Sequence, residues 1–211
     1  QTSGRLTIAT THTQARYALP PVVRAFRSRY PQVRLHLHQS APADIARAVA
    51  QGEADFGIAT EALDGHPELV TFPCYQWNHV VIVPDGHPLL SAPALTLPLL
   101  AQHPLVTYEA GFTGRPHIDE AFARQSLEPD IVLTAMDADV IKTYVADGLG
   151  VGIIASVAYE ADNDRRLKAI EAKHLFASNT TRLAMRRGAY LRRFDHAFIE
   201  LFAPHLERGV V

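Results

Sequence analysis

Thr10-Thr11-His12-Thr13-Gln14-Ala15-Arg16 follows the apolar run Leu6–Ala9 and precedes a helical pattern announced by Pro20 and Pro21. The apolar run predicts a strand, and the cluster of hydroxyl and amide side chains marks its end, where a helix must begin. The first N–H groups of such a helix have no carbonyl one turn earlier. They point past the strand end, where they can hold an anion.

The same pattern recurs on either side of that turn. Pro21–Tyr30 predicts a helix, with Val22, Ala25, Phe26 and Tyr30 at helical spacing and Pro31 as its stop. In Val33–His38 the residues Val33, Leu35 and Leu37 alternate with Arg34, His36 and His38, which predicts a strand with one buried and one polar face. Pro42–Gln51 reads as a short helix with Ile45, Ala46 and Val49 inward and Gly52 as its left-handed cap, and Asp55–Thr60 as a third strand. Strand, helix, strand, helix, strand predicts a parallel sheet whose ligand edge is formed by the carboxyl ends of the strands. Thr11 and Thr60 therefore fall on one edge.

Beyond the turn Asp64-Gly65-His66-Pro67, strand-like runs Leu69–Tyr75 and Val80–Pro84 are separated by Gln76-Trp77-Asn78-His79. The α/β logic then restarts. Leu97–Gln102 is a brief helix, Leu105–Tyr108 a strand, Arg115–Gln125 a helix with Ile118, Ala121 and Phe122 inward, and Ile131–Ala135 a strand. Asp137 caps a helix, Ala138–Ala146, that Gly148 ends, and Val151–Ala155 is a further strand. Leu167–Ile170 and Arg182–Arg186 are strands, and Tyr190–Leu206 is a helix with Leu191, Phe194, Phe198, Ile199 and Phe202 on its apolar stripe. No stretch rich in Gly, Pro or Ser divides the chain. The expectation is an α/β protein of two Rossmann-like lobes with a central cleft. Residues 1–74 with 179–211 form one lobe and 75–178 the other, joined by crossings near Pro73–Tyr75 and Ser178–Thr181.

A chain of 211 residues with 47% apolar content buries a substantial core, and its net charge of -2 gives no basic field for gripping nucleic acid unaided. The single cysteine, Cys74, excludes an internal disulfide framework and fits a reducing compartment, with the cytoplasm as the expected location. No run of about 18 apolar residues predicts a membrane span. The polar start Gln1-Thr2-Ser3-Gly4 lacks an initiator Met and a signal-peptide core, and reads as the remnant of an interdomain linker.

Gly111-Phe112-Thr113-Gly114-Arg115 is the second half's counterpart of the opening turn. Its glycines permit close backbone approach, and the helix start adds roughly half a positive charge. Two readings stand at this point. Thr11, Thr13 and Thr113 serve only as helix caps, or they supply hydroxyls to a small anion. His36 and His38 could chelate zinc as H-x-H, but no third ligand is apparent and a solvated strand face is the expectation. Cys74 is expected to be a buried structural thiol and Asp137 a cap, while Trp77 falls either in the core or at the cleft mouth. Arg182, Arg186, Arg187, Arg192 and Arg193 read as a solvated face or subunit contact. No G-x-S-x-G elbow, P-loop, H-E-x-x-H or G-x-G-x-x-G is present, so neither an enzyme nor a cofactor is expected.

Thr11-His12-Thr13-Gln14-Ala15-Arg16-Tyr17, Ala54–Glu61, Pro73-Cys74-Tyr75 with Trp77-Asn78, Gly111–Arg115, Asp137–Tyr144 and Phe202–Leu206 together resemble the effector-binding domain of LysR-type transcriptional regulators, in particular the branch of the cysteine-regulon activator CysB. The resemblance runs from about Leu6 to Leu206. It implies a two-lobed fold similar to type 2 periplasmic binding proteins, with a winged helix-turn-helix domain ahead of Gln1. Carried over position by position, it implies ligand contacts at Thr11, Thr13, Gln14, Thr60, Trp77 and Thr113, and no metal. The implied effectors are sulfate, thiosulfate, O-acetylserine or N-acetylserine and adenylylsulfate. The implied partners are DNA through the N-terminal domain, a homodimer or homotetramer, and RNA polymerase, with no membrane. The tail ends at Val211, where relatives can run on. The alternative on the same fold is an extracytoplasmic solute-binding protein for sulfate or a related small acid.

Overall fold

The computed structural model of the chain describes residues 3–206; the lead Gln1-Thr2 and the tail to Val211 lie outside the described residues. Elements run β1 (Ser3–Thr10), a turn of π-helix (Gln14–Ala18) continuing into α1 (Leu19–Arg29), β2 (Gln32–Gln39), α2 (Pro42–Ala50), β3 (Phe56–Ala59) and β4 (Leu69–Trp77). There follow β5 (His79–Pro84), α3 (Leu97–Leu100), β6 (Leu105–Tyr108), α4 (Arg115–Arg124), β7 (Ile131–Ala135), α5 (Ala138–Ala146) and β8 (Val151–Ala155). Among the described residues there follow β9 (Leu167–Glu171), β10 (Asn179–Arg186) and α6 (Arg193–Phe202). Two compact units result, one comprising the chain up to Tyr75 and again from Thr180, the other Gln76–Asn179. No helix among the described residues is long and apolar enough to cross a membrane.

The first unit holds a sheet of order β2-β1-β3-β10-β4. β1 runs parallel to β2 and β3, as the strand–helix alternation predicts, whereas β10 pairs antiparallel with β3 through Arg182–Ala59, Leu183–Ile58 and Ala184–Gly57. β3 is central and wholly buried, which explains its unbroken apolar sequence. One face of the sheet packs on α1 and α6, where Phe56, Phe198 and Phe202 stack at 5.8 and 6.2 Å and Phe26 meets Phe198 edge-on at 6.0 Å. The other face packs on α2. There Gly57 has no room for a side chain, because a Cβ would lie 2.8 Å from Ile45 Cγ2 and 2.9 Å from Val49 Cγ2.

The second unit holds a sheet of order β7-β6-β8-β5-β9, in which β6 is parallel to β7 and β8 while β5 is antiparallel to β8 and β9. Its core gathers Val81, Leu100, Leu105, Ile118, Phe122 and Ile153, among others. Asp137 caps α5 as expected, its Oδ1 accepting from Val140 N–H at 3.0 Å. Lys142 on the same helix is 9% exposed and donates to Ala158 O at 2.9 Å and Asp164 Oδ2 at 3.1 Å, tying the 156–166 segment down.

Several expected boundaries and faces are corrected. α1 begins at Leu19 and the chain is helical from His12, because Pro20 and Pro21 sit in the first turn of α1, where a missing N–H is harmless. β2 buries only Val33 fully, and Leu37 is 41% exposed, since β2 is an edge strand. β4 runs on through Trp77, so only Asn78 separates it from β5. α6 is shorter at both ends than Tyr190–Leu206. The Asp195 carboxylate captures the Arg192 N–H at 2.7 Å and starts the helix there, Tyr190 is 89% exposed, and Pro204 prevents continuation past Ala203.

His79 opens β5 with no exposed surface, and burial pushes its pKa down to about 4 from 6.5, so the ring is neutral. An unfolded chain takes up a proton at this position on acidification from pH 6.5 toward 4 while the folded chain resists it. The stability associated with neutral His79 is thus present above pH 6.5 and lost as pH falls toward 4; urea midpoints should decline over that range, and less steeply for His79→Phe. Separately, Gly57→Ala forces α2 away from β3 and should lower unfolding stability by about 1–3 kcal/mol in chemical denaturation.

Candidate functional site

In the first unit the turn after β1 is buried: Thr10, Thr11, Thr13 and Gln14 are 0, 7, 2 and 1% exposed. Ala15 N–H closes the first helical turn on Thr11 O at 3.1 Å, so the positive end of the helix lies at Thr11–Gln14. Thr13 has helical backbone angles and makes no capping bond, which removes capping as the reason for its hydroxyl. The Gln14 amide is fixed from both ends. Its Nε2 donates to Thr181 Oγ1 at 3.2 Å, and the Tyr75 hydroxyl donates to its Oε1. Burial raises the Tyr75 pKa, which keeps that hydroxyl a neutral donor. An amide carries two N–H donors, and the bond to Thr181 uses one of them. Thr60, half-buried, follows Ala59 at the carboxyl end of β3, beside β1 in the sheet, in the register Thr10–Ile58.

In the second unit the turn between β6 and α4 carries three left-handed residues, Gly111 at φ 81°, Thr113 at φ 39° and Gly114 at φ 73°. A β-branched residue in this region is strained by about 1–3 kcal/mol and persists only where its surroundings enforce it. Gly114, not Thr113, is the residue that precedes α4, and no side chain caps the helix there, so the capping reading of Thr113 is corrected. Thr113 is 6% exposed.

What enforces the turn is visible around it. His79 Nε2 lies 3.0 Å from Thr113 O, and a Cβ on Gly114 would fall 2.5 Å from His79 Cε1 and 2.5 Å from Asn179 Oδ1. Asn179, 1% exposed, accepts from His117 Nδ1 at 2.8 Å. Arg115 bridges Tyr108 O at 2.5 Å and Asp119 Oδ1 at 2.7 Å, bracing the other side. Trp77 is 3% exposed, and its ring meets His79 edge-on at 5.0 Å.

Thr11, Thr13, Gln14 and Thr60 are thus brought together at one sheet edge of the first unit, and Trp77 and Thr113 are linked through His79 in the second. His79, Tyr75, Asn179 and Thr181 were not singled out from the sequence as site residues. Each acts across 34 to 167 positions, a separation that leaves no periodic or local motif. The remaining candidates have other roles. Cys74 is buried, its Sγ lies 3.5 Å from Phe72 O, and burial pushes its pKa up to about 12, which makes it an unreactive core thiol. Among the described residues no group of three metal-ligating side chains includes His36 or His38. Arg182 pairs with Asp64 at 3.5 Å, Arg192 with Asp55 at 3.0 Å, and Arg187 Nε donates to Pro67 O at 3.2 Å, so these three arginines have structural partners.

Comparison with known proteins agrees with this architecture. Residues 1–207 match the LysR substrate binding domain. The chain is 53% identical over 211 residues to the HTH-type transcriptional regulator SsuR of Burkholderia cenocepacia, covering 100% of this chain and 68% of that protein. It is 51% identical over 211 residues to the HTH-type transcriptional regulator CysB of the same species, covering 100% of this chain and 67% of that one. The chain therefore spans about two thirds of the length of these relatives. A crystal structure of the cofactor-binding domain of the Cbl transcriptional regulator superposes with a TM-score of 0.95 at 50% identity, covering 98% of this chain and 91% of that one. The two mixed α/β units are those of the type 2 periplasmic-binding-protein fold. This chain belongs to the LysR family, as its substrate-binding domain.

Proposed function

We propose that the chain is the effector-sensing domain of a transcriptional regulator of sulfur-assimilation and cysteine-biosynthesis genes. In this reading a small anion such as sulfate, thiosulfate or an acetylserine is held jointly by Thr11, Thr13, Gln14, Thr60, Trp77 and Thr113. The observation that carries it is the pair of buried turns in which the Thr13 and Thr113 hydroxyls are not used for capping, each at a helix start. Neutral hydroxyls and backbone amides at helix starts suit a small oxyanion, because they stabilise negative charge without a buried cation that would itself need a partner. The names of the relatives, SsuR and CysB, support the sulfur assignment. The HTH-type relatives, of which this chain spans about two thirds, support contact with DNA through a helix-turn-helix segment outside these 211 residues. The effector acts by binding one arrangement of the protein better than another, shifting the population by its differential affinity.

Self-association is part of the same reading. On β7 and α5, and in the residues flanking them, Val132, Met136, Val140, Tyr144 and Leu149 are 42–55% exposed, an apolar surface that a second copy of the chain would cover in a homodimer or homotetramer.

Thermal unfolding with sulfate, thiosulfate, O-acetylserine, N-acetylserine and adenylylsulfate tests the effector class, since a ligand at about 100 times its Kd adds about 2.7 kcal/mol. No stabilisation by any of the five would overturn the assignment. Thr11→Val and Thr113→Val should each weaken the best ligand by about 1.5–3 kcal/mol, roughly ten- to hundred-fold in Kd by calorimetry, with unchanged circular dichroism. Val140→Glu with Tyr144→Glu should lower the mass measured by light scattering to that of the monomer; an unchanged mass would place the contact elsewhere.

A further inference from the structure

Among the described residues of the second unit, His79 carries a buried side-chain nitrogen without a hydrogen-bond partner. Its ring is completely buried among Trp77 at 5.0 Å, Phe176 at 5.8 Å and Tyr108 at 6.5 Å. A carbonyl only accepts, so the 3.0 Å contact with Thr113 O assigns the hydrogen to Nε2. The lone pair of Nδ1 is then left buried with no hydrogen-bonding partner among the described residues. Phenylalanine would fill the same aromatic box without an orphaned nitrogen. Packing therefore gives no reason for histidine here, and the N–H directed at Thr113 does.

That N–H meets the strained residue of the turn. Thr113 sits at φ 39°, outside the range a β-branched residue adopts unaided, and its carbonyl direction is set by the same dihedrals that aim its hydroxyl and the N–H groups opening α4. The next residue lies against the Cε1–Nε2 edge of the His79 ring, since any Cβ at Gly114 would overlap these atoms at 2.5 and 2.8 Å. The ring thus contacts Thr113 and Gly114 and also meets the Trp77 ring edge-on at 5.0 Å.

We propose that His79 is a positioning residue for effector binding: its Nε2–H holds the Thr113 carbonyl, and so keeps the turn in the one conformation that presents Thr113 and the α4 amides to an anion. His79 does not itself touch the ligand. The inference rests on the reading of Thr113 as an effector contact, and it adds the residue that sets that contact's geometry.

Calorimetry with sulfate and thiosulfate on four variants tests it. His79→Phe keeps the ring and removes the donor; it should weaken binding at least ten-fold. His79→Gln retains an N–H near the position of Nε2 and should stay within about three-fold of wild type. Leu100→Ala, a fully buried core truncation on α3, should lower the melting temperature without moving Kd. Thr113→Val reports on the contact itself. A His79→Phe affinity equal to wild type, with Thr113→Val weakened, overturns the role of His79 and leaves the site standing. His79→Gln as weak as His79→Phe overturns the hydrogen bond as the cause. Wild type binding neither anion overturns the inference for these oxyanions, and wild type binding none of the five effectors overturns the site as well. Should His79→Phe fail to fold, nitrogen NMR of the wild-type ring decides: the Nε2–H signal must shift on saturation with sulfate, and a signal indifferent to saturating ligand overturns the proposal.

Discussion

The fold of the first unit depends on one long-range pairing, that of β10 against β3. The opening segment supplies β1, β2 and β3, but β3 is buried on both faces and needs a second neighbour for its backbone. A strand from residues 179–186 fills that place, pairing antiparallel with Phe56–Ala59, and brings Leu183 and Met185 into the core beside Phe56 and Phe198. The unit is therefore discontinuous in sequence. A chain cut after Tyr75 would leave β3 with an open edge and the aromatic core without α6.

The same strand also anchors the turns. Thr181 accepts from Gln14 in the first unit, and Asn179 packs on Gly114 and accepts from His117 in the second. β4 and the residue beyond Asn78 repeat the arrangement. Tyr75 holds the other end of the Gln14 amide, while Trp77 backs His79, which holds Thr113. Each turn is thus fixed by side chains from the two segments where the chain passes from one unit to the other. The helix starts supply the electrostatics, and these buried polar contacts supply the rigidity, because a buried amide or carbonyl without its partner would lose the full hydrogen bond.

Much of this is legible in the sequence because it is local. Alternation in Val33–His38, helical spacing around Ile118 and Phe122, the Asp137 cap and the Gly52 terminator identify strands and helices to within a few residues, since each depends on neighbours at most four positions away. Boundaries shifted where tertiary partners intervened, as at α6, whose start is set by the Asp195 carboxylate on Arg192. The alternating pattern of β2 overstated its burial because periodicity shows which residues share a face, while the position of a strand within its sheet determines whether that face is covered.

The sequence by itself determined the α/β class, the two repeats of strand–turn–helix and the threonines at both turns, because hydrophobic period and turn chemistry are properties of short segments. Only the tertiary structure decided that Thr13 and Thr113 are not caps, that Gln14 is clamped between Tyr75 and Thr181, and that His79 braces Thr113. Those outcomes depend on contacts between residues far apart in the chain and on a backbone angle, φ 39°, that no neighbouring residue type dictates. Thr113 adopts that angle where a buried ring holds its carbonyl.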